Sequence, residues 1–202
     1  MSARYAGALR SLDVTQGDRV LVQVDKSPYA LLLYLATLRI GAIFVPLNTA
    51  YTPTEVAYFL GDAQPRLFVA RPKTEDDLVD IARNTGAALL TFDTDGAGSL
   101  ADAMANAEAV EEIARTDAND IASIIYTSGT TGRSKGAMLS HDNLASNALT
   151  LIDLWGFRET DVLLHALPIY HVHGLFVAVH CAMLCGISMR FLERFDPDEV
   201  MR

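Results

Sequence analysis

The amino-acid sequence predicts an α/β fold, in which a parallel sheet is built from βαβ units and carries helices on both faces. Short apolar runs alternate along the chain with longer segments of helical period, and this alternation favours parallel βαβ units. The chain has 202 residues, of which 50% are hydrophobic and 20% are charged. It is therefore long enough and apolar enough to bury a sizeable core.

The predicted strands are short runs of mostly apolar residues, and longer segments of helical period lie between most of them. In chain order, the strands are RVLVQV at 19–24, IFVP at 43–46, RLFVA at 66–70, ALLTF at 88–92, ASIIY at 122–126, VLLHA at 162–166 and SMRFL at 188–192. The helices are expected at 5–12, 30–40, 54–62, 75–85, 100–107, 142–154 and 173–185. Asp196-Pro197-Asp198 is typical of one further helix start.

A change of composition divides the chain into two sub-regions. Residues 94–119 are rich in Ala, Glu and Asp and contain few large apolar side chains. We expect them to cross the surface as a helix and linker of high mobility that joins sub-region 1–93 to sub-region 120–202. The chain opens inside a predicted helix and stops just after a helix start, so it is expected to be part of a longer protein.

Charge and hydropathy exclude several classes of function. The net charge of −9 and the pI near 4.9 oppose nonspecific binding to nucleic acid, which requires a basic surface. The longest apolar runs, at 30–38 and 175–179, are too short to span a bilayer. The chain opens without a charged and then apolar signal segment, and its two cysteines are typical of a reducing compartment. A cytoplasmic protein without a membrane span is expected.

Cys181, Cys185 and the neighbouring His180 are the group that first suggests a metal site. The two cysteines lie on a predicted helix, but no further Cys or His with ligand spacing follows, and a four-coordinate site needs more ligands. Buried structural thiols are the favoured interpretation. No metal ligand is assigned from the sequence.

The loop at residues 126–138 carries the strongest functional pattern. It reads YTSGTTGRSKGAM and follows the apolar run IASII directly. Its glycines, Gly129, Gly132 and Gly136, allow a close backbone approach to a ligand, and its backbone N–H groups can form an anion-binding nest. Hydroxyl donors are supplied by Thr127, Ser128, Thr130 and Thr131, and Lys135 adds a flexible positive charge. The loop predicts binding of a nucleoside triphosphate.

The spacing of this loop separates it from two common nucleotide-binding patterns. A Walker A loop requires G-x-x-x-x-G-K-[ST], whereas Lys135 is followed by Gly136, and no G-x-G-x-x-G occurs in this segment. The loop instead resembles that of the adenylate-forming (acyl-CoA synthetase, AMP-binding) superfamily, [YF]-T-S-G-[ST]-T-G-x-P-K-G. One position differs from this pattern: Ser134 stands where most members of the family have proline. The change removes no donor, since proline has no N–H.

Other segments match the same family in the same order. Residues 167–175, LPIYHVHGL, resemble its L-P-x-x-H-x-x-G pattern, in which the residue at the position of His171 borders the acyl pocket. The resemblance therefore makes His171 a candidate substrate-facing residue. Without it, a histidine at a strand end is more often a structural hydrogen-bonding group, and that interpretation is kept for His173.

Two further matching segments are interpreted as architecture. Residues 41–52, GAIFVPLNTAYT, are expected to form a buried strand that ends at Pro46, with a turn at Asn48. Residues 140–144, SHDNL, follow the loop, and Ser140 or Asp142 is expected to cap the next helix.

The resemblance implies a fold, a reaction and a set of site residues. Residues 1–202 would be part of the large N-terminal domain of an adenylate-forming enzyme, and the small C-terminal domain would be absent. Within the family the chain most resembles malonyl-CoA synthetases, which use ATP with Mg²⁺ to convert a small carboxylic acid to acyl-AMP and then transfer the acyl group to coenzyme A. The residues carried over as ATP-binding are Thr127, Ser128, Gly129, Thr130, Thr131, Gly132 and Lys135, with Lys135 also catalytic.

The sequence leaves two alternative functions open. A different ATP- or phosphate-binding protein with a convergent loop would lack the companion segments at 41–52 and 167–175. A truncated, noncatalytic product would keep the fold and lose the reaction. Because the family's adenine-binding segment and adenylation lysine have no counterpart here, the 202-residue chain alone is expected to be inactive or nearly so.

Overall fold

The structure is a computed structural model that describes residues 1–127 and 133–201. Its strands are β1 (Arg19–Gln23), β2 (Ile43–Pro46), β3 (Leu67–Ala70), β4 (Ala88–Thr91), β5 (Ile121–Thr127), β6 (Lys135–Ser140), β7 (Val162–His165) and β8 (Ser188–Phe191). Its α-helices are α1 (Ser2–Ser11), α2 (Pro28–Arg39), α3 (Pro53–Ala63), α4 (Glu75–Thr85), α5 (Ser99–Ala105), α6 (His141–Trp155), α7 (His180–Leu184) and α8 (Pro197–Val200). A 3₁₀ turn at Pro72–Thr74 and a π-helix at His173–Val179 complete the regular structure of these residues.

The described strands form a six-stranded sheet in the order β4-β3-β1-β2-β5-β6 and a two-stranded sheet of β7 and β8. Strands β1 to β5 run parallel to one another, as do β7 and β8. The α/β prediction is therefore confirmed, and every predicted strand is present within one residue at each end. The sequence prediction missed β6, which pairs antiparallel with β5.

Helices cover both faces of the large sheet, as predicted. On one face, α1 and α2 pack with residues from β1, β2 and β3 in a core that includes Tyr34, Phe44 and Phe92. On the other face, α3 and α4 pack in a second core around Phe59 and Phe68. Strands buried on both faces read as continuous apolar runs rather than as alternating ones, which is why the sequence pattern located them accurately.

Polar residues at the helix ends fix where the helices begin. The side chains of Ser27, Thr52 and Ser140 accept hydrogen bonds from free N–H groups of α2, α3 and α6, respectively. The bond from the Asn143 N–H to Ser140 Oγ is 3.1 Å long, so the predicted cap by Ser140 is confirmed. Capping boxes of this kind satisfy two otherwise unpaired N–H groups.

Residues 106–120 lie against the first two helices rather than apart from the fold. The Val110 N–H donates to the Ala3 carbonyl over 2.9 Å, and the Ala114 N–H donates to the Arg39 carbonyl over 2.8 Å. The large sheet takes β1–β4 from sub-region 1–93 and β5 and β6 from sub-region 120–202. The mobility of 94–119 and the division into sub-regions stay predictions.

The predicted helix at 173–185 is divided into two kinds of helix. Residues His173–Val179 form a π-helix, and α7 continues from His180. A Cβ on Gly174 would lie 2.0 Å from the carbonyl oxygen of Pro168, so the start of the π-helix packs against the preceding backbone. π-Helical turns are often found at functional sites, and no sequence period distinguishes them from an α-helix.

The predicted structural thiols are only partly buried. Cys181 is buried and Cys185 is half-buried, and both are free thiols. The Cys181 Sγ lies 3.8 Å from the Ala148 carbonyl oxygen, so this thiol packs between α6 and α7. Within residues 1–127 and 133–201, no helix has both the length and the apolar character needed to cross a membrane.

His180 links α7 to α2 and should make the fold sensitive to acid. Its Nε2 lies 2.8 Å from the Tyr34 hydroxyl oxygen, and burial lowers the pKa of His180 from 6.5 to about 4. The folded state therefore binds fewer protons than the unfolded state between these values, and stability falls as the pH falls through them. From pH 7 to pH 5 the loss should reach about 2 kcal/mol.

The test is the free energy of unfolding of the wild type and of His180→Gln at pH 7 and pH 5. Glutamine can hydrogen-bond to Tyr34 but cannot titrate, so the variant should lose less stability on acidification. His165, whose pKa burial also lowers, remains in both proteins. Equal losses in the two proteins would contradict the prediction.

Candidate functional site

The candidate site lies at the carboxyl ends of β2 and β5, which are adjacent in the sheet. A cavity of about 310 Å³ opens there, and the edge formed by the carboxyl ends of parallel strands is where ligands commonly bind in open α/β sheets. Its walls come from three chain segments, namely the end of β2 with the loop after it, the end of β5, and the residues before the π-helix. The lining residues are Pro46, Asn48, Tyr51, Ile125, Tyr126, Thr127, Tyr170, His171 and Val172.

A buried serine joins the two strands that form the floor of this site. The hydroxyl of Ser123 in β5 donates to the Phe44 carbonyl of β2 over 2.6 Å, and these two residues are opposite each other in the parallel register. Ser123 is fully buried, so its hydroxyl requires a partner. This bond holds β5 beside β2 and directs its last residue, Thr127, towards the cavity.

Thr127 and Lys135 are the described residues at the two ends of the predicted ATP-binding segment. Thr127 ends β5 and Lys135 begins β6, and the two are opposite each other in the antiparallel register. Both residues are exposed. The expectation that Lys135 belongs to an irregular loop is wrong, because its backbone pairs with that of Thr127 as the first residue of a strand.

The remaining residues predicted to bind ATP are Ser128, Gly129, Thr130, Thr131 and Gly132, and they lie outside the described residues. Gly136 is described. The sequence analysis expected it to allow a close backbone approach to a ligand, but in the structure it packs against a neighbouring side chain. A Cβ on Gly136 would lie 2.7 Å from Cγ2 of Ile124. The missing side chain at Gly136 therefore permits close packing within the β5–β6 hairpin.

His171 lines the same cavity as Thr127, so the structure brings together two residues that are far apart in the sequence. The His171 side chain is exposed, and its ring stacks on that of His173 with centroids 5.4 Å apart. The bend before the π-helix holds this segment in place, because Gly174 packs on Pro168 and its carbonyl oxygen lies 2.9 Å from Nε2 of His165. Lys135 is not among the residues that line the cavity.

Residues at the end of β2 contribute more to the site than the sequence suggested. Asn48 and Tyr51 line the cavity, so the segment at 41–52, interpreted mainly as architecture with contact to the pocket as the alternative, also contributes to the site. The buried amide of Gln23 donates to the carbonyl oxygens of Asn48 and Tyr51, over 3.0 and 3.3 Å. Gln23 thus shapes the loop from below, a role that no sequence pattern indicated.

Tyr51 and Tyr126, which both line the cavity, remain protonated at neutral pH because their pKa values are raised. Burial is the largest cause that raises the pKa of Tyr126, followed by the hydrogen bond that its hydroxyl donates to Asp62 over 2.5 Å. Burial also raises the pKa of Tyr51, with smaller contributions from Glu55 and Tyr170. The Tyr126 proton is engaged by Asp62, whereas the neutral hydroxyl of Tyr51 can donate a hydrogen bond to an anionic ligand.

A larger cavity of about 550 Å³ lies beside the first one and shares Tyr170 with it. Of the predicted site residues that the structure describes, Thr127, Lys135 and His171, none lines it, and its charges are of both signs, including Asp25, Lys26 and Arg194. The ammonium group of Lys26 donates to the His165 carbonyl over 2.7 Å, and burial lowers the pKa of Lys26 to about 8. We assign the site to the smaller cavity because both Thr127 and His171 line it.

Metal ligands are not grouped in the part of the chain that the structure describes. Within residues 1–127 and 133–201, no cluster of three or more His, Cys, Asp or Glu side chains could hold a metal ion. His180, which the sequence places beside the two cysteines, instead contacts Tyr34. The described residues therefore do not fit a resident metal.

Comparison with known protein families supports the sequence resemblance. The family model described as "AMP-binding enzyme" matches residues 1–202. Among solved structures, ATP-bound MatB from Rhodopseudomonas palustris superposes with a TM-score of 0.95 at 52% sequence identity, over 99% of this chain and 40% of that one. The fold thus matches the N-terminal domain of adenylate-forming enzymes.

Curated relatives act on several acids according to their names. Malonate–CoA ligase ACSF3, mitochondrial, from Xenopus laevis is 37% identical, over 79% of this chain and 28% of that protein. 4-Coumarate–CoA ligase 5 from Oryza sativa subsp. japonica is 32% identical, over all of this chain and 38% of that protein. The chain therefore spans well under half the length of these relatives.

Proposed function

Because the chain belongs to the AMP-binding enzyme family, we propose that the full-length protein joins a small carboxylic acid to coenzyme A in an ATP-dependent, AMP-forming reaction. The observation that carries this proposal is the cavity at the carboxyl ends of β2 and β5, which both Thr127 and His171 line. Family membership argues against the alternative of an unrelated ATP-binding protein with a convergent loop. Residues 1–202 would belong to the large N-terminal domain, with sub-regions 1–93 and 120–202.

The proposed reaction has two steps. In the first, a carboxylate oxygen attacks the α-phosphorus of ATP, the bond from this phosphorus to the bridging oxygen breaks, and pyrophosphate leaves. In the second, the sulfur of coenzyme A attacks the acyl carbon, the thiol proton is released, and AMP leaves with the bonding electrons. Both steps place negative charge on a departing phosphate group, which positioned donors stabilise.

The residues at the ends of β5 and β6 suit the first step. Thr127 supplies a hydroxyl at the edge of the cavity, and the exposed side chain of Lys135 starts opposite it in the hairpin. A lysine side chain is long and flexible, so it can follow phosphate oxygens as the bond breaks. Ser128, Gly129, Thr130, Thr131 and Gly132 are proposed to complete the phosphate-binding segment.

Mg²⁺ is expected to accompany ATP, and we assign it no ligand in this chain. The described residues provide no cluster that could hold a metal ion. The roles proposed for Thr127, Lys135 and His171 involve direct contacts with ATP or with the acid.

We propose malonate or methylmalonate as the acid. A cavity of about 310 Å³ is at the small end of the range for ligand sites, which favours a short acid over a long acyl chain. The exposed imidazole of His171 and the hydroxyls of Tyr51 and Tyr170 supply polar groups around it. A relative whose printed name is malonate–CoA ligase gives independent support.

Pyrophosphate release by the full-length protein tests the acid. We expect the highest kcat/KM with malonate or methylmalonate, and values at least about tenfold lower with acetate, benzoate, 4-coumarate and a long-chain acid, because a misfitting group loses more than about 1 kcal/mol of binding. Preference for benzoate, 4-coumarate or a fatty acid over both dicarboxylates would reject the proposed substrate and leave the reaction class intact. The 202-residue chain assayed alone should show little or no release.

A further inference from the structure

Helix α3 contacts the chain on both sides of the predicted phosphate-binding segment. Tyr58 and Asp62 lie four residues apart on α3 and therefore on the same face of the helix. Tyr58 contacts the residues just before β6, and Asp62 contacts the last part of β5. We call this pair of contacts the α3 clamp.

The first contact of the α3 clamp holds the residue before Lys135. The Tyr58 hydroxyl donates to the Ser134 carbonyl over 2.7 Å, and the Arg133 guanidinium lies over the Tyr58 ring at 5.9 Å from its centroid. The second distance is at the outer limit of a cation–π contact, so the hydrogen bond is the stronger restraint. Any residue at position 134 provides this carbonyl, including proline.

The second contact holds the residue before Thr127. The Tyr126 hydroxyl donates to a carboxylate oxygen of Asp62 over 2.5 Å, which is the short distance of a charge-assisted hydrogen bond. The Tyr126 ring also packs on Phe59 with centroids 4.6 Å apart. One turn of α3 thus contacts both the ring and the hydroxyl of Tyr126.

Helix α3 is itself firmly attached, so it can serve as a base for these contacts. Its start is fixed by the capping box of Thr52 and Glu55. Its end is held from β1, because the Arg19 guanidinium donates to the Ala63 and Gln64 carbonyls over 2.8 Å each. The position of α3 is therefore fixed relative to the central strand β1, and so are Tyr58 and Asp62, which make the two contacts.

From these contacts we propose that Tyr58 and Asp62 are positioning residues that set Thr127 and Lys135 at the spacing that ATP requires. They touch neither ATP nor the acid in this proposal and act through Ser134 and Tyr126. A side chain held in place before the ligand arrives loses less entropy on binding, so the α3 clamp should strengthen ATP binding. This inference rests on the proposed function.

The test uses Tyr58→Phe and Asp62→Ala, each of which removes one contact of the α3 clamp and leaves every residue that lines the cavity unchanged. Tyr29→Phe is the matched control, because Tyr29 lies on α2, which packs on the opposite face of the sheet from α3, and its ring packs against Gly96. In the 202-residue chain, hydrogen exchange at the amides of 134–136 should accelerate about fivefold in both variants, the effect of one lost hydrogen bond. In the control it should change less than twofold.

Steady-state kinetics of the full-length protein provide the second readout. The KM for ATP should rise about fivefold in both variants, whereas the KM for the carboxylic acid and the thermal midpoint should stay near the wild-type values. Unchanged exchange, or KM values that rise equally for ATP and the acid, would overturn the proposal. If the wild-type protein releases no pyrophosphate with any acid, the proposed function fails, and the exchange measurement still decides whether the α3 clamp holds these residues.

Discussion

The substitution Lys135→Ala is expected to lower kcat for pyrophosphate release by the full-length protein by about 100-fold, or roughly 3 kcal/mol of transition-state stabilisation. The physical reason is the loss of a positive charge beside the departing pyrophosphate. The free energy of unfolding should change by no more than about 0.5 kcal/mol, because the Lys135 side chain is exposed at the start of an edge strand. Kinetics and urea unfolding on one preparation separate the two effects.

Arg83→Ala is a suitable control for the loss of charge. Arg83 lies on α4 in an exposed ion pair with Asp80, and such pairs contribute little to stability. Its removal makes the net charge more negative by one, as Lys135→Ala does, but far from the site, so kcat should stay within about twofold of the wild type. Full activity of Lys135→Ala would refute its catalytic role. A large loss of stability with a proportionate loss of activity would instead indicate a structural role.

Gly174→Ala is expected to destabilise the fold by about 3 kcal/mol or more. The added Cβ would lie 2.0 Å from the Pro168 carbonyl oxygen, and this neighbour is backbone, which cannot rotate away. Relief of the clash must move either residues 168–173 or the π-helix. Because His171 lies between Pro168 and Gly174 in the chain, the acid site should be lost together with stability. Urea unfolding of the 202-residue chain measures the first effect, and the KM for the acid in the full-length protein measures the second.

Gly61→Ala is the matched control for a methyl group added to a helical glycine. Nothing lies within 4 Å of a Cβ at Gly61 in α3, and alanine is favoured over glycine in a helix by about 1 kcal/mol. The control should therefore be as stable as the wild type or more stable. If Gly174→Ala matched it in stability, the close approach of Pro168 and the π-helix would not be a constraint on the fold.

The parts of the fold that sequence could predict are those with an apolar signal. The strands from β1 to β5 are mostly apolar runs, largely buried in β1, β2 and β3, and their bounds were found within one residue. Strand β6 was missed because it lies at the edge of the sheet and is mostly exposed, with Gly136 and Met138 in its middle. Its pairing partner β5, rather than its own composition, makes it a strand. The π-helix was missed because its residues have an ordinary helical pattern.

The sequence predicted those residues of the candidate site that belong to a motif. It did not predict those that reach the site through tertiary packing. The motif-based residues Thr127 and His171 line one cavity. The contributions of Tyr51, Tyr170 and Gln23 depend on how three distant segments meet, and no local spacing encodes this. The α3 clamp has the same origin, because one of its acceptors is the Ser134 carbonyl, which is independent of the side chain.

Whether the full-length protein forms acyl-AMP can be measured by the exchange of labelled pyrophosphate into ATP. An AMP-forming acid–CoA ligase forms acyl-AMP reversibly before coenzyme A takes part. We therefore predict exchange that requires malonate or methylmalonate, proceeds without coenzyme A, and falls about 100-fold in Lys135→Ala. The account would be contradicted by ADP as the nucleotide product, or by exchange that no carboxylic acid stimulates.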